Sequence, residues 1–450
     1  MKSVRRGQRI ITLFILLFIA GMIALVVKIH NESSFYMSNS DKQILGKVYD
    51  RNGDVLFDNS GAQYDENHFL DIGNFIGDAQ GQMANTLVAV NIDKLNNYSF
   101  ETGLIEDGGK AAIYSTLDHY ANKAVFNAYQ GRKGCAVAYD YKTGELLVNV
   151  SLPSFDVAKG YGDIENFESG TLISKTLYGT VPGSTQKIST LASALEVMGA
   201  DTLFSKIFSC SGEYINKSGD GIKCHNSYGH GTQNIQQAFE NSCNPFFAQL
   251  VEDEDLPLDG IKNIYRRMGY AINGESKKTI DIDGITCETA STTLENAYEF
   301  NTQWGCIGQG DTLVSPIQLM MWQSAIANGT GKMTMPHIID HVTNVKGEIT
   351  ERSETKFSKE IFSSSTAGTI RQIMLTNGSN NYSSSIYGYS IGVKSGTAQV
   401  KNGDEENSLL VGFVDDSRHP IAFCIMIEDK NGGNIRTEQI AQVMLDALYS

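Results

Sequence analysis

Hydrophobic positions fall into distinct regimes along the chain, and the first is continuous. From Ile10 to Val27 no charged residue interrupts a run that holds Leu13, Phe14, Leu16, Leu17, Phe18, Ile19 and Leu25, long enough to cross a hydrocarbon core of about 30 Å as a helix. A polar connector, Asn31 to Ser40, follows. Gly46-Lys-Val-Tyr-Asp-Arg-Asn-Gly53-Asp-Val-Leu-Phe57 then reads as two strands around an Asn-Gly turn, because that dipeptide accepts the positive φ a tight hairpin needs. From there to about Lys110 short amphipathic runs mix with glycine without one period. This stretch is expected to form a small juxtamembrane domain.

From Cys135 the pattern sharpens. Cys135-Ala-Val-Ala-Tyr-Asp140, a Tyr-Lys-Thr-Gly turn and Glu145-Leu-Leu-Val-Asn-Val-Ser151 predict strand, turn and strand. The turn Val181-Pro-Gly183 opens a helix-rich middle that runs to about Asn328, and Ile188, Leu191, Leu195 and Met198 recur there at helical spacing. Strands return at Tyr389–Lys394, Ser408–Val414 and Ile421–Ile427, and Ile440, Val443, Met444 and Leu448 predict a last amphipathic helix over 438–448. Strands at both ends of a helical insert must pair with each other across it. The expected class is therefore α+β, an antiparallel sheet flanked by helices. The expected division is a tail over 1–9, a transmembrane signal anchor over 10–28, a small N-terminal domain over 29–130 and the α+β domain over 131–450.

Charge adds an orientation. The formal net charge is −15, yet Lys2, Arg5, Arg6 and Arg9 all precede the apolar run. Cations on that side keep the N-terminus cytoplasmic and send the acidic remainder out. A cleaved signal peptide is the alternative, but the run exceeds an ordinary h-region and no A-x-A site follows it. The acidic balance speaks against nucleic acid as a partner.

Seven cysteines are too few and too scattered for a disulfide scaffold, and an odd number leaves one thiol free. Cys210 and Cys224 flank a Gly-rich stretch and are the pair expected to bridge if the outside is oxidising. A zinc site from Cys210, Cys224, His225 and His230 is the sharper alternative, but it lacks a second short C-x-x-C or H-x-x-x-H pair. No metal or organic cofactor is expected.

Three short stretches carry chemistry. Ser184-Thr-Gln-Lys187 opens the first helix, where free N–H groups and the helix dipole favour developing negative charge. Lys187 lies one turn on, on the same face and beside the apolar stripe. Desolvation there lowers an ammonium's pKa and lets some neutral amine act as base toward the hydroxyl. The bland alternative is a Ser cap with a lysine snorkelling outward. Ser242-Cys-Asn244 lies between two helical patterns, with Pro245 fitting a first helical position. Asn244 is then the expected cap, and Ser242 is exposed at the corner. A simple Asn cap accounts for this stretch as well as a relay hydroxyl and a binding amide do. Lys394-Ser-Gly-Thr397 ends a β-branched strand and offers a cation, two hydroxyls and a Gly396 whose missing side chain admits a ligand close to the backbone. A strand edge guarded by Lys is the alternative.

In that order the three resemble the S-x-x-K, S-x-N and K-[ST]-G signature of the active-site serine penicillin-recognising enzymes. From about Gly134 to Ser450 the chain resembles the transpeptidase domain of class B penicillin-binding proteins. Lys142-Thr-Gly-Glu145, Ser151-Leu-Pro-Ser-Phe-Asp156, Gly229-His-Gly231, Ile307-Gly-Gln-Gly310, Ser315-Pro316 and Ala398-Gln399 add to the likeness, and Gly46–Leu56 resembles the opening of that family's N-terminal domain. The resemblance implies a penicillin-binding/β-lactamase-like fold. It also implies Ser184 as nucleophile, Lys187 as base, Ser242 as relay and Asn244 as substrate ligand, with Lys394, Ser395, Gly396 and Thr397 holding a carboxylate. The implied oxyanion hole is the N–H groups of Ser184 and Thr397. Gln186 stands where many relatives have Phe, and the region before Gly134 is shorter than in the large division-type members.

The activity this implies is peptidoglycan D,D-transpeptidation through a serine acyl-enzyme that β-lactams trap. The implied partners are stem peptides ending in D-Ala-D-Ala and a membrane glycan polymerase in trans. A D,D-carboxypeptidase or β-lactamase is the alternative, although no E-x-x-x-N segment is well placed. A non-catalytic membrane partner and a penicillin sensor are the others.

Overall fold

Helix α1 (Lys2–Ser38) carries the apolar run, and no part of it packs against the rest of the chain over Arg5–Lys28. Those 24 residues span about 36 Å. The helix continues where the polar connector was expected, because no Gly or Pro stands between Lys28 and Ser38 to stop it. The computed structural model describes residues 2–38, 44–99, 103–104, 109–162 and 164–450. Positions 39–40 of the expected connector, and parts of the aperiodic stretch before Lys110, lie outside these residues.

The Asn-Gly turn joins β1 (Lys47–Tyr49) to an antiparallel β2 (Val55–Phe57). Asp50 closes the turn by accepting from the backbone N–H of Asn52 at 2.8 Å and of Asp54 at 2.7 Å. Strand β3 (Ala112–Ser115) runs parallel to β1. Helix α2 (His119–Ala128) follows, with Asp118 accepting from the Ala121 N–H at its start.

Strands β4 (Gly134–Asp140) and β5 (Leu146–Leu152) form the expected hairpin. Helix α3 (Lys187–Met198) opens the insert. Among the short strands further along are β6 (Phe208–Cys210), β7 (Gly221–Lys223) and β8 (Gly231–Gln233), with β8 pairing antiparallel to β6. Helices α4 (Ile235–Glu240) and α5 (Asn244–Val251) meet at a three-residue corner, Asn241-Ser242-Cys243. Helix α6 (Pro316–Ala327) is buried on every side, as its nearly unbroken apolar sequence requires.

Strand β9 (Ile339–Thr343) pairs with β3, and β10 (Ile349–Arg352) with β9. This five-stranded sheet, in the order β10-β9-β3-β1-β2, is therefore built from segments on both sides of the helical insert. After α7 (Ser364–Asn377) come β11 (Ile391–Val400), β12 (Glu405–Val414), β13 (Ile421–Ile427) and α8 (Thr437–Leu448).

The central sheet has the order β11-β12-β13-β4-β5 and is antiparallel throughout. Pairing of β13 with β4 closes it across the insert, as the sequence pattern demanded. Both faces are covered. Ala136, Ala138, Phe423 and Ile425 pack with Val125 of α2 and Ile440 and Met444 of α8. Val137, Tyr139, Leu409, Val411 and Phe413 point to the other core, with Met320 and Trp322 of α6. Alternate residues of one strand thus enter two cores, which accounts for strands that read as continuous apolar runs.

Candidate active site

The first stretch forms a single tight turn, Gly183–Gln186, that leads directly into α3. Gly183 has φ +54°, and a Cβ there would sit 2.6 Å from the Thr397 carbonyl oxygen. Only glycine suits both demands, a left-handed backbone and contact with β11. The Thr185 hydroxyl donates to the Pro182 carbonyl at 2.7 Å and tightens the turn. Gln186 is buried, accepting at Oε1 from the Tyr270 hydroxyl at 2.6 Å. Its Nε2 finds no partner among the described residues.

Lys187 is completely buried, with its Nζ 5.5 Å from the centre of the Phe247 ring. Four oxygens surround that nitrogen: the Ser242 carbonyl at 2.6 Å, Asn244 Oδ1 at 2.7 Å, Ser184 Oγ at 2.9 Å and Ser242 Oγ at 3.2 Å. The first two only accept, so they take two N–H bonds whatever the protonation state. In the neutral amine the lone pair is then left to face a serine hydroxyl. Burial pulls the Lys187 pKa down to about 7, with a small opposing pull from the Cys243 and Cys224 thiols. A base half-neutral near pH 7 results.

Ser242 sits at the α4–α5 corner with φ +50°, a left-handed conformation that costs a residue with a Cβ about 1–3 kcal/mol. The corner is held by the Cys243 N–H donating to the Ala238 carbonyl at 2.9 Å. The strain aims both Ser242 oxygens at Lys187. The cap of α5 is Cys243 rather than Asn244. Asn244 is occupied otherwise, accepting from Lys187 and donating from Nδ2 to the Lys223 carbonyl at 3.0 Å.

The third stretch lies inside β11 and does not end a strand, because pairing with β12 continues from Ile391 to Val400. Lys394 is buried, its Nζ donating to Ser242 Oγ at 3.0 Å and the Ser395 carbonyl at 2.9 Å. Burial first, and the nearby Lys187 charge second, hold its pKa well below the usual lysine range. The Ser395 hydroxyl accepts from Tyr382 at 2.7 Å. The close approach at Gly396 is made by the chain itself: a Cβ there would lie 2.8 Å from the Pro182 carbonyl and 3.2 Å from the Thr185 nitrogen. Thr397 is exposed.

All the residues singled out in the three stretches therefore converge, and Ser184 Oγ, Lys187 Nζ, Ser242 Oγ and Lys394 Nζ form one unbroken hydrogen-bonded line. The line borders a cleft of about 370 Å³ also lined by Trp304 and Gln309. Gln309 clamps β11 by donating to the Thr397 carbonyl at 3.0 Å and accepting from the Gln399 N–H at 3.2 Å. Trp304, Tyr382, Phe239 and Phe247 were not legible as site residues, since each reads as ordinary helical or loop packing until the fold brings it here.

Cysteine expectations need correction. Cys210 and Cys224 form no disulfide, and every cysteine is free. His225 Nδ1 is 4.0 Å from Cys224 Sγ but does not join a common centre; the group that does converge is Cys210, Cys224, His230 and Cys243.

This sheet carries a serine, two buried lysines and a second serine at its edge, an arrangement able to activate a hydroxyl for acyl transfer, and sequence comparison gives the family. A model described as the penicillin binding protein transpeptidase domain matches residues 134–445; the chain belongs to that family. Stage V sporulation protein D of Bacillus subtilis is 29% identical over 332 residues, covering 70% of this chain and 48% of that protein. The peptidoglycan D,D-transpeptidase MrdA of Salmonella typhimurium is 23% identical over 368 residues, 75% of this chain and 59% of the relative. The chain thus spans about half to three-fifths of the length of these curated relatives. Among solved structures, the D,D-transpeptidase domain of a peptidoglycan glycosyltransferase from Eggerthella lenta aligns with TM-score 0.74 at 24% identity over 90% of this chain and 98% of that one. Penicillin-binding protein A of M. tuberculosis, as an imipenem acyl-enzyme complex, aligns with TM-score 0.75 at 18% identity over 91% and 99%.

Proposed function

We propose that the chain is a peptidoglycan D,D-transpeptidase acting through an ester on Ser184. The observation that carries this reading is the line from Ser184 Oγ through Lys187 and Ser242 to Lys394. Neutral Lys187 takes the Ser184 proton as Oγ attacks the carbonyl carbon of the penultimate D-Ala. The oxyanion falls to the N–H groups of Ser184 and Thr397, whose backbones adjoin through Gly183. The C–N bond then breaks, and the proton on Lys187 passes by way of the Ser242 hydroxyl to the departing D-Ala nitrogen. Lys394 polarises that hydroxyl, and the Ser395 and Thr397 hydroxyls bind the substrate carboxylate. An amine of a second stem peptide enters along the same path and gives its proton up to Lys187 as its nitrogen takes the acyl group; the ester C–O bond breaks, and Lys187 returns the proton to the leaving Ser184 Oγ, 2.9 Å away. A β-lactam forms the same ester, but its leaving nitrogen stays tethered.

The setting follows from α1. We assign 1–9 to the cytoplasm, 10–28 to one membrane crossing, and the small domain over 29–130 and the catalytic domain over 131–450 to the outside, on the strength of the four cations before the apolar run. A glycan polymerase in the same membrane is the partner that would supply strands to cross-link. The test is a fluorescent penicillin added to the detergent-solubilised chain, read by intact mass. The expected result is one persistent adduct, absent from Ser184→Ala. Equal labelling of both proteins refutes the assignment, and rapid turnover of the penicillin transfers it to a hydrolase.

A further inference from the structure

Helix α7 does not stop at an ordinary cap. Beyond Asn377 it widens into one π turn, Gly378–Tyr382, a form that recurs at functional sites. The turn is held from several sides. A Cβ on Gly378 would lie 1.9 Å from the Ile391 carbonyl oxygen, so the turn sits directly against β11. Buried Asn377 donates from Nδ2 to the Val393 carbonyl at 2.8 Å, and its Oδ1 accepts from Asn381 Nδ2 at 2.8 Å. Asn380 Nδ2 donates to Glu240 Oε2 at 3.1 Å, which ties the turn to α4. The Ile386 N–H donates back to the Tyr382 carbonyl at 2.8 Å.

These contacts aim Tyr382 at the third stretch. Its ring packs against the core that holds Ile386, Ile391 and Val393, and its hydroxyl donates to Ser395 Oγ at 2.7 Å. Ser395 continues the row of Ile391 and Val393 on one face of the strand, and it borders the cleft. A serine hydroxyl has one hydrogen and two lone pairs. Tyr382 occupies a lone pair from the core side, and among the described residues no group accepts the Ser395 hydrogen. Burial raises the Tyr382 pKa, against a smaller opposing pull from the Ser395 bond, so the phenol stays protonated and donates. Lys394 Nζ, donating to the Ser395 carbonyl at 2.9 Å, holds the backbone of the same residue. The hydroxyl therefore turns its hydrogen into the cleft, and accepting one bond makes it a stronger donor in the next.

We propose that Tyr382 is a positioning residue for the substrate's terminal carboxylate: by donating to Ser395 it commits the Ser395 hydrogen to that anion. The proposal rests on the transpeptidase reading, in which the Ser395 and Thr397 hydroxyls bind the carboxylate. It adds that part of the selectivity for a free D-Ala carboxylate lies in a residue outside the three stretches. An ionised carboxylate only accepts, so it matches the donor presented to it. Its charge also makes that bond stronger than one to a neutral ester or amide carbonyl. In Tyr382→Phe the ring packing is kept, but the Ser395 hydroxyl regains its rotation and its hydrogen is shared with solvent.

The experiment compares acylation of the full chain in detergent by benzylpenicillin and by its methyl ester, in wild type, Tyr382→Phe, Ser395→Ala and the double variant. Tyr382→Phe is expected to narrow the preference for the free acid about tenfold, the loss appearing in the half-saturating concentration rather than in the limiting rate. In the Ser395→Ala background the same substitution is expected to narrow it no further. Three results overturn the role of Tyr382 while wild type acylates normally: an acid preference in Tyr382→Phe equal to that of wild type, equal slowing with acid and ester as a merely structural role predicts, or an undiminished loss when Ser395 is absent. A wild-type chain that forms no ester with either compound refutes the transpeptidase reading, and this proposal falls with it.

Discussion

Asn244→Asp puts the proposed role of Lys187 to its sharpest test. The Asn244 Oδ1 atom lies 2.7 Å from Lys187 Nζ and is neutral; a carboxylate there keeps the shape and adds an anion. At about 4 Å between charge centres and an effective dielectric near 20, the attraction is about 4 kcal/mol, or about three pKa units. The sign is fixed, because an opposite charge favours the protonated amine. The wild-type Lys187 pKa is about 7, so acylation is expected to rise with pH through that value and to fall roughly tenfold per unit below it. In Asn244→Asp the inflection moves up by about three pH units, and acylation at neutral pH drops by roughly 10²–10³. The rate then recovers as the pH rises. The assay is stopped-flow acylation by a chromogenic cephalosporin across that range. Asn244→Ala is the control: it also loses the bond to the Lys223 carbonyl but adds no charge, so its rate falls while its inflection stays in place. An inflection in Asn244→Asp that coincides with wild type refutes Lys187 as the titrating base.

Gly396→Ala drives a Cβ to 2.8 Å from the Pro182 carbonyl. It should lower thermal stability by about 1–3 kcal/mol and slow acylation by parting β11 from the Ser184 turn; a wild-type melting curve with full activity would contradict that packing. Asp58 lies in the first sheet region, where its burial raises the carboxyl pKa but hydrogen bonds from Lys47, Tyr64 and Ser60 outweigh this and hold it at about 2 against 3.8. A depressed folded-state value gives stability that is full above 3.8 and lost as pH falls toward 2. Asp58→Asn should therefore flatten the urea midpoint across that window relative to wild type, and an unchanged slope would remove Asp58 from the acid response.

The three stretches were legible because each is local: a serine and a lysine one helical turn apart, a corner between helices, and a lysine and a glycine at what reads as the end of a β-branched strand. The closure of β13 on β4 followed from the hydrophobic pattern alone. Other features depend on distance. The strand containing Lys394 runs on to Val400 because β12 returns along its whole length; Gly396, Ala398 and Val400 alternate with polar Ser395, Thr397 and Gln399, but as small residues they mark a strand weakly. Cys243 replaced Asn244 as the cap because Lys187 and Lys223 claim the amide, a competition that spacing cannot show. Of the Cys210 group, Cys210, Cys224 and His230 were named together from the sequence, with His225 as the fourth; Cys243 was not, because it belongs to the second stretch and only the fold brings it to the other three. Polar Gln186 in a buried position makes sense only once Tyr270 is seen to reach it.

The mixed parentage of the five-stranded sheet bears on how the molecule is made. Its β3 strand emerges early from the ribosome, yet its neighbour β9 is translated only after the whole helical insert. Until then β3 presents an unpaired backbone edge, the kind of surface on which chains stick to one another. Newly made protein is thus vulnerable over most of its synthesis, and a truncation anywhere before Ile339 leaves that edge permanently open.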